Sequence, residues 1–216
     1  QKEKKGELPN DFPIEKETVI PYILSHLPYN LTKSQKKCLD EILWDLKKKT
    51  AMQRLIQGDV GSGKTIVAFL AMALMGENGH QSALMAPTEV LARQHYENFV
   101  KMCREFELKR RVVLLTGSLT PKEKRSAQED LKLFPDAMII GTQALLQERA
   151  VFSNLGLVIT DEQHRFGVRQ REIFAKKGIN PHILVMSATP IPRTLAMIIY
   201  GDMDISVMDE VPAKRL

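Results

Sequence analysis

The stretch Gly58-Asp59-Val60-Gly61-Ser62-Gly63-Lys64-Thr65 matches the pattern G-x-x-x-x-G-K-[ST], which is typical of loops that bind phosphate groups. It follows a short apolar run and precedes residues with helical periodicity, so the loop is expected between a strand and a helix. Glycines let the backbone direct several N–H groups at one anion, and the helix N-terminus adds partial positive charge. The stretch therefore predicts a binding site for a nucleoside triphosphate.

Two side chains of this loop have specific predicted roles. Lys64 is expected to contact the outer phosphates, and the Thr65 hydroxyl is expected to ligate Mg²⁺. A glycine-rich turn with an incidental lysine is the alternative, but the strand, loop and helix context argues against it. The predicted nucleotide-binding residues of the loop are Gly58, Gly61, Ser62, Gly63, Lys64 and Thr65.

The composition is that of a globular protein with a moderate positive charge. Of the 216 residues, 44% are hydrophobic and 26% are charged, which suffices for the core of one domain. No apolar run approaches the roughly 20 residues of a membrane span, and Cys38 and Cys103 are too few for a disulfide framework. We therefore expect a cytoplasmic protein without a membrane segment. The net charge of +5 favours a polyanionic partner only weakly, because solvated helix faces explain the lysine groups equally well.

Short apolar runs alternate with helical patterns along most of the chain. Such alternation predicts an α/β fold with a parallel sheet covered by helices on both faces, and with ligands at the carboxyl ends of the strands. The predicted strands are Arg54–Gln57, Ala83–Ala86, Val112–Thr116, Met138–Gly141, Leu157–Thr160 and Ile183–Ser187. The predicted helices are Lys64–Met75, Glu89–Phe106, Pro121–Phe134, Arg169–Lys177 and Pro192–Tyr200, preceded by one that starts at the capping box Thr32–Gln35.

A pair of carboxylates follows the apolar run Leu157–Thr160. Asp161 is placed to hold Mg²⁺ through water, and Glu162 is placed to polarise the attacking water. An acidic turn that caps a helix is the alternative, and the phosphate-binding loop upstream makes it the weaker one. Together with Lys64, these two residues form the predicted catalytic set.

Three further residues have predicted roles, and two of them, Thr189 and Gln35, have two interpretations each. Ser187 and Thr189 follow the next apolar strand and could sense the state of the carboxylates, although Thr189 could also cap a helix. Gln35 could complete its capping box or could contact the adenine edge, which would favour ATP. The sequence leaves both interpretations of Gln35 open.

Four histidines lack metal-ligand spacing and are interpreted as surface or packing residues, namely His26, His80, His95 and His182.

These motifs, in this order, resemble those of superfamily 2 helicases. The longest stretches resemble the RecG branch-migrating DNA helicases, whose nearest relative is the transcription-repair coupling translocase. The resemblance covers roughly residues 27–216 and is most specific at Gly58–Thr65, Asp161–Gly167 and Ser187–Ala196. It implies a RecA-like P-loop domain with a mostly parallel central sheet and a short N-terminal extension. It also implies that the cofactors are ATP and Mg²⁺.

The resemblance also assigns residues to movement along DNA. Gln163 and His164, with Ser187 and Thr189, would couple hydrolysis to movement. A track for one strand of branched or double-stranded DNA would be formed by Pro87, Thr88, Arg93, Thr116, Gly117, Gly141, Thr142 and Gln143. Small residues and loop hydroxyls at strand ends allow a sugar-phosphate backbone to approach without base reading. A helix cap at Thr88 and turn glycines at Gly117 and Gly141 are the structural alternatives.

The resemblance further implies that the chain is one part of a larger motor. Residues 1–26 would be a connector from an upstream domain, residues 27–208 the ATP-binding lobe, and residues 209–216 the start of a hinge. A second lobe would supply arginines to the transferring phosphate, and an N-terminal wedge domain would bind branched DNA. We therefore expect weak nucleotide binding and poor hydrolysis by this chain alone, in the cytoplasm of a bacterium. A coupling-translocase lobe and a non-motor P-loop module remain as alternatives.

Overall fold

The computed structural model describes residues 7–59, 61–161, 167–188, 192–201 and 203–209. Within them, seven parallel strands form one sheet. They are β1 (Gln53–Gly58), β2 (Gln81–Met85), β3 (Val112–Leu115), β4 (Met138–Gly141), β5 (Leu155–Asp161), β6 (His182–Ser187) and β7 (Asp204–Met208). Their order across the sheet is β3-β4-β2-β5-β6-β1-β7.

Helices cover both faces of this sheet. They are α1 (Val19–His26), α2 (Lys33–Lys47), α3 (Lys64–Glu77), α4 (Glu89–Glu105), α5 (Pro121–Leu133), α6 (Gly167–Lys176) and α7 (Arg193–Tyr200). Ile56 faces the core under α1 to α4, whereas its neighbour Leu55 faces the core under α5, α6 and α7. Successive residues of a strand point to opposite faces, so near-continuous apolar strands are needed to supply two cores. The predicted α/β fold is confirmed.

Two elements were not predicted from the sequence. The edge strand β7 has only two buried residues, Ser206 and Met208, and it lacks the continuous apolar run of the inner strands. Helix α1 carries Pro21 in its first turn, and its buried residues Ile20 and Ile23 pack in the core beside α3. In both elements, tertiary packing stabilises a segment whose local pattern is weak.

The segment before α2 packs along the amino ends of the strands. The Asn10 side chain donates to the carbonyl oxygens of Leu46 and Lys48, at 3.0 and 2.8 Å. The backbone N–H groups of Glu15 and Lys16 donate to the side-chain oxygen of Asn78 at the end of α3. Residues 7–26 therefore contact the domain throughout, while the domain boundary at residue 27 stays a prediction.

A buried charge cluster fixes α2 to the sheet. The Arg54 guanidinium in β1 donates to both carboxylate oxygens of Asp45, with Nε–Oδ2 at 2.7 Å, and to Glu41 at 3.0 Å. It also donates to the Ser206 hydroxyl in β7, at 2.9 Å. Because Arg54 is 6% exposed, these partners must offset the loss of its hydration. The cluster ties α2, β1 and β7 together.

The cysteines are buried and unpaired, as expected for reduced thiols. Burial, with the charge of Glu41 nearby, raises the pKa of Cys38 to about 12, so that thiol stays protonated at neutral pH. In the part of the chain that the structure describes, no helix combines the length and the apolar character that crossing a membrane requires.

Candidate nucleotide and nucleic-acid site

The predicted phosphate-binding loop connects the end of β1 to the start of α3, as its sequence pattern requires. Gly61 and Gly63 have φ angles of 86° and 85°, in the left-handed region that other residues rarely adopt. Gly63 is the residue before the first turn of α3 and brings no capping side chain. Because glycine has no side chain, Gly63 does not cap the first N–H groups of α3, and this suits an anion site.

The packing around Gly58 leaves no space for a side chain at that position of the loop. A Cβ at Gly58 would lie 2.6 Å from the Ser62 hydroxyl and 3.1 Å from the Met208 carbonyl oxygen. Ser62 is 3% exposed, and its hydroxyl has no hydrogen-bond partner among the described residues. A buried polar atom without a protein partner is costly unless a ligand or water satisfies it. This donor fits a phosphate oxygen.

The Lys64 ammonium lies over the loop that it is predicted to serve. Its Nζ donates to the carbonyl oxygen of Gly58 and to that of Asp59, the latter at 3.2 Å. The half-buried Thr65 follows in the first turn of α3. Lys64 and Thr65 are thus the first two residues of α3 after the loop, where an outer phosphate and its metal would be contacted.

Gln35 contacts the loop from α2. Its side-chain oxygen accepts from the Thr32 backbone N–H at 2.9 Å, and its own N–H donates to the Thr32 hydroxyl at 3.2 Å. Its side-chain nitrogen is 3.3 Å from the Gly63 carbonyl oxygen and 3.5 Å from that of Ser62. The capping interpretation is thus realised, and the side chain also supports the loop. The contact of Gln35 with an adenine edge stays a prediction.

Asp161 lies at the same rim of the sheet as the loop. It pairs in register with Met186 of β6, which pairs in turn with Ile56 of β1. Since neighbouring strands are about 4.8 Å apart, β5 and β1 are separated by roughly 10 Å across β6. Ser187 ends β6 between them and pairs with Gln57. Glu162, Gln163, His164 and Thr189 lie outside the described residues.

The donor set fits a magnesium-bound triphosphate. Mg²⁺ prefers oxygen ligands and usually keeps several waters and phosphate oxygens beside one or two protein ligands. Thr65 and Asp161 offer a hydroxyl and a carboxylate on elements that meet at this rim. Among the described residues, no group of three or more His, Cys, Asp and Glu side chains could enclose a metal by itself.

His95 is a site residue that the sequence analysis missed. Its Nε2 lies 2.9 Å from Asp161 Oδ2, and each side chain is 13% exposed. His95 was interpreted as a surface or packing residue, because nothing near it in sequence suggests a partner. The contact joins residues 66 positions apart. A usable signal was its place two turns into the helix that follows β2, the strand beside β5.

Apart from Arg93 in α4, the predicted DNA-track residues lie at the ends of β2, β3 and β4, which are neighbours in the sheet. The Thr88 hydroxyl accepts from the Leu91 N–H at 3.2 Å, so it caps α4. Glu89 accepts from the Ser118 N–H at 2.8 Å, and the Arg93 guanidinium is 3.5 Å from the Ser118 hydroxyl. These contacts hold the loop after β2 against the loop after β3.

Exposure separates the track residues into two groups. Thr116 and Gly141 are buried, and a Cβ at Gly141 would overlap the Leu115 carbonyl oxygen and lie 2.9 Å from Leu145 Cγ. The Thr142 hydroxyl is 3.5 Å from the Ala144 N–H in the turn that follows. The residues that are exposed or half-buried are Pro87, Thr88, Arg93, Gly117, Thr142 and Gln143. Contact of any of them with DNA stays a prediction.

Residues 32–198 match the protein family described as DEAD/DEAH box helicase. This chain belongs to the DEAD/DEAH box helicase family. Among curated relatives, it is 52% identical over 194 residues to the ATP-dependent DNA helicase RecG of Aquifex aeolicus. It is also 52% identical over 189 residues to RecG of Streptococcus pneumoniae. These alignments cover 89% and 88% of the chain but 24% and 28% of the relatives, so the chain spans about a quarter of their length.

Solved structures agree with this family assignment. A RecG bound to a three-way DNA junction has a TM-score of 0.81 and 42% identity, and the match covers 95% of this chain and 27% of that one. The helicase MrfA bound to DNA has a TM-score of 0.67 at 18% identity over 95% of this chain and 29% of that one, which shows a shared fold. The predicted resemblance to RecG helicases is confirmed.

Proposed function

We propose that this DEAD/DEAH box domain is the ATP-binding lobe of a RecG-type DNA helicase. In the complete motor, ATP hydrolysis would drive regression of stalled forks and migration of Holliday junctions. The observation that carries the proposal is the P-loop and Asp161 at one rim of a domain that is 42% identical to RecG bound to a three-way junction. The coupling translocase remains the alternative within the motor class, whereas family membership argues against a non-motor P-loop module.

We call the carboxyl ends of β5, β6 and β1 the nucleotide half of the rim. Its residues would each have a separate role in ATP hydrolysis. Bound Mg²⁺-ATP would supply the phosphoryl group whose transfer to water drives movement. The loop N–H groups and Lys64 would neutralise phosphate charge, while Thr65 and Asp161 would hold the metal. Glu162, next to Asp161 in sequence, would take a proton from the attacking water.

The carboxyl ends of β3, β4 and β2, which we call the track half of the rim, would hold one DNA strand. Exposed Thr88, Gly117 and Gln143 follow three adjacent strands, and Arg93 adds a cation to the same surface. Hydroxyl, amide and guanidinium groups bind sugar-phosphate backbone without base recognition, which suits a motor that must pass any sequence. Branched-DNA preference would come from a wedge domain in the same protein.

Hydrolysis would need a second lobe. Arginine supplied across the nucleotide stabilises transition-state charge and is worth on the order of 10³–10⁵ in rate in phosphoryl-transfer enzymes. We expect this chain alone to bind ATP or ADP and to hydrolyse ATP slowly. We also propose the bacterial cytoplasm as its location, since the curated relatives named above are bacterial helicases.

The test compares this chain with a version extended through a second lobe and an upstream domain. ATP turnover is measured with a three-way DNA junction, with linear duplex and with structured RNA. We expect the junction to stimulate turnover of the extended protein most. Glu162→Gln should lower that turnover about 10²- to 10⁴-fold while nucleotide binding persists. Equal stimulation by structured RNA, or equal turnover by this chain alone, would contradict the proposal.

A further inference from the structure

The contact between His95 and Asp161 brings the DNA-track helix to the nucleotide site. His95 lies on α4, whose N-cap is Thr88 and whose second turn carries Arg93, both predicted track residues. Its Nε2 is 2.9 Å from Asp161 Oδ2, and both side chains are largely buried. Burial excludes much of the water that would otherwise donate hydrogen bonds to the carboxylate, so little water competes with His95 for Asp161.

The direction of the bond follows from the chemistry of the two groups. An ionised carboxylate only accepts hydrogen bonds, so Nε2 of His95 carries the hydrogen and donates to Oδ2. A donor at Oδ2 restricts rotation of the carboxylate about its last bond. The second oxygen, Oδ1, is then presented in one orientation.

The imidazole itself is held by aromatic packing. The ring of His95 is edge-on to Phe99 at 6.3 Å between centroids, and Phe99 is edge-on to Phe69 at 5.2 Å. Both phenylalanines are fully buried. Since Phe69 belongs to α3, which also carries Thr65, the ring is fixed relative to the helix that would contact the nucleotide.

We infer that His95 is a positioning residue that orients Asp161 toward a nucleotide-bound divalent cation. This inference rests on the proposed Mg²⁺-ATP site. His95 touches neither nucleotide nor metal, and acts by keeping one carboxylate oxygen engaged so that the other faces the cation. Hydrogen-bond partners of metal-binding side chains typically change metal affinity about 10- to 100-fold when they are removed.

The test uses two amide substitutions of matched chemistry. The side-chain nitrogen of glutamine reaches about as far as Nε2 of histidine, whereas that of asparagine stops short. His95→Gln should therefore keep the donor at Asp161, and His95→Asn should lose it. Binding of a fluorescent ADP is measured in Mg²⁺ and in EDTA, and the ratio of the two affinities reports the metal contribution. Asn98→Gln, on an exposed position of α4, is the control.

We expect His95→Asn to lower the metal contribution about tenfold, and His95→Gln to stay within about threefold of the unchanged chain. Affinity in EDTA should be equal for all four proteins. The inference is overturned if His95→Asn retains the full metal contribution, or if both substitutions weaken binding equally in Mg²⁺ and in EDTA. Absence of any metal-dependent binding by the unchanged chain would instead refute the proposed nucleotide site itself.

Discussion

At the rim of β5, β6 and β1, a loop side chain is buried without a hydrogen-bond partner among the described residues, whereas at the rim of β3, β4 and β2 Thr88 and Gly141 each have a structural task. The loop has two glycines with positive φ and a buried Ser62 hydroxyl without a partner among the described residues. On the other side, Thr88 caps a helix and Gly141 allows two segments to touch. Residues with no structural task point most directly to a ligand.

The largest expected effect tests the nucleotide half. Lys64→Ala should weaken ATP binding about 10- to 100-fold, because a charge-assisted hydrogen bond contributes about 1.5–3 kcal/mol. The free energy of unfolding should change by less than about 1 kcal/mol, since the ammonium is partly exposed. Calorimetric titration and urea denaturation measure the two quantities. A loss of stability that matches the loss of binding would erase the contrast between the two halves.

The second prediction uses a matched pair of glycines in the track half. Gly141→Ala should lower the free energy of unfolding by about 1–3 kcal/mol, because its Cβ would overlap the Leu115 carbonyl oxygen. A Cβ at Gly117 would meet its nearest contact, Glu89 Oε1, at an ordinary 3.7 Å. Gly117→Ala should thus cost less than about 0.5 kcal/mol. Equal costs in urea denaturation would show that the packing at Gly141 is not the cause.

A smaller effect is expected at the start of α4. Thr88→Ala should cost about 1 kcal/mol of stability through loss of the cap, and Thr88→Ser should restore most of it. If Thr88 also contacts DNA, Thr88→Ser should retain single-strand affinity in fluorescence anisotropy. If DNA binding is lost in both variants while their stability is unchanged, the DNA contact of Thr88 does not depend on its role as a helix cap.

The smallest effect concerns His182, at the amino end of the inner strand β6. Burial lowers its pKa, and His80 lowers it further, while the bond to Phe12 and the charge of Asp45 act in the other direction. Its neutral ring accepts from the Met52 N–H at 2.8 Å and lies 3.1 Å from the Phe12 carbonyl oxygen. The unfolded chain, with a pKa near 6.5, takes up the proton first as the pH falls.

Stability from His182 is therefore complete above about pH 6.5 and declines as the pH falls toward the lower folded pKa. Urea denaturation at about pH 7.5 and pH 5.5 should show this decline, and His182→Gln should show less of it. An identical pH dependence with and without His182 would refute the assignment.

Some parts of this molecule could be predicted from the sequence, and others could not. The inner strands were predicted because strands buried on both faces read as continuous apolar runs, as at Leu157–Thr160. The loop and Asp161 were predicted because their chemistry is local in sequence. The edge strand β7 and the partner of Asp161 were not, since both depend on contacts between distant segments. His95 on α4 meets Asp161 at the end of β5 although 66 positions separate them in sequence.

The Arg54 cluster connects the edge strand β7 to α2. Arg54 bonds to α2 and to Ser206 of β7, and Gly58 lies against Met208 at the end of that same strand. A displacement of β7 would thus also displace α2, whose Gln35 side chain contacts the phosphate-binding loop. The phosphate-binding loop would then be displaced both at Gly58 and through Gln35.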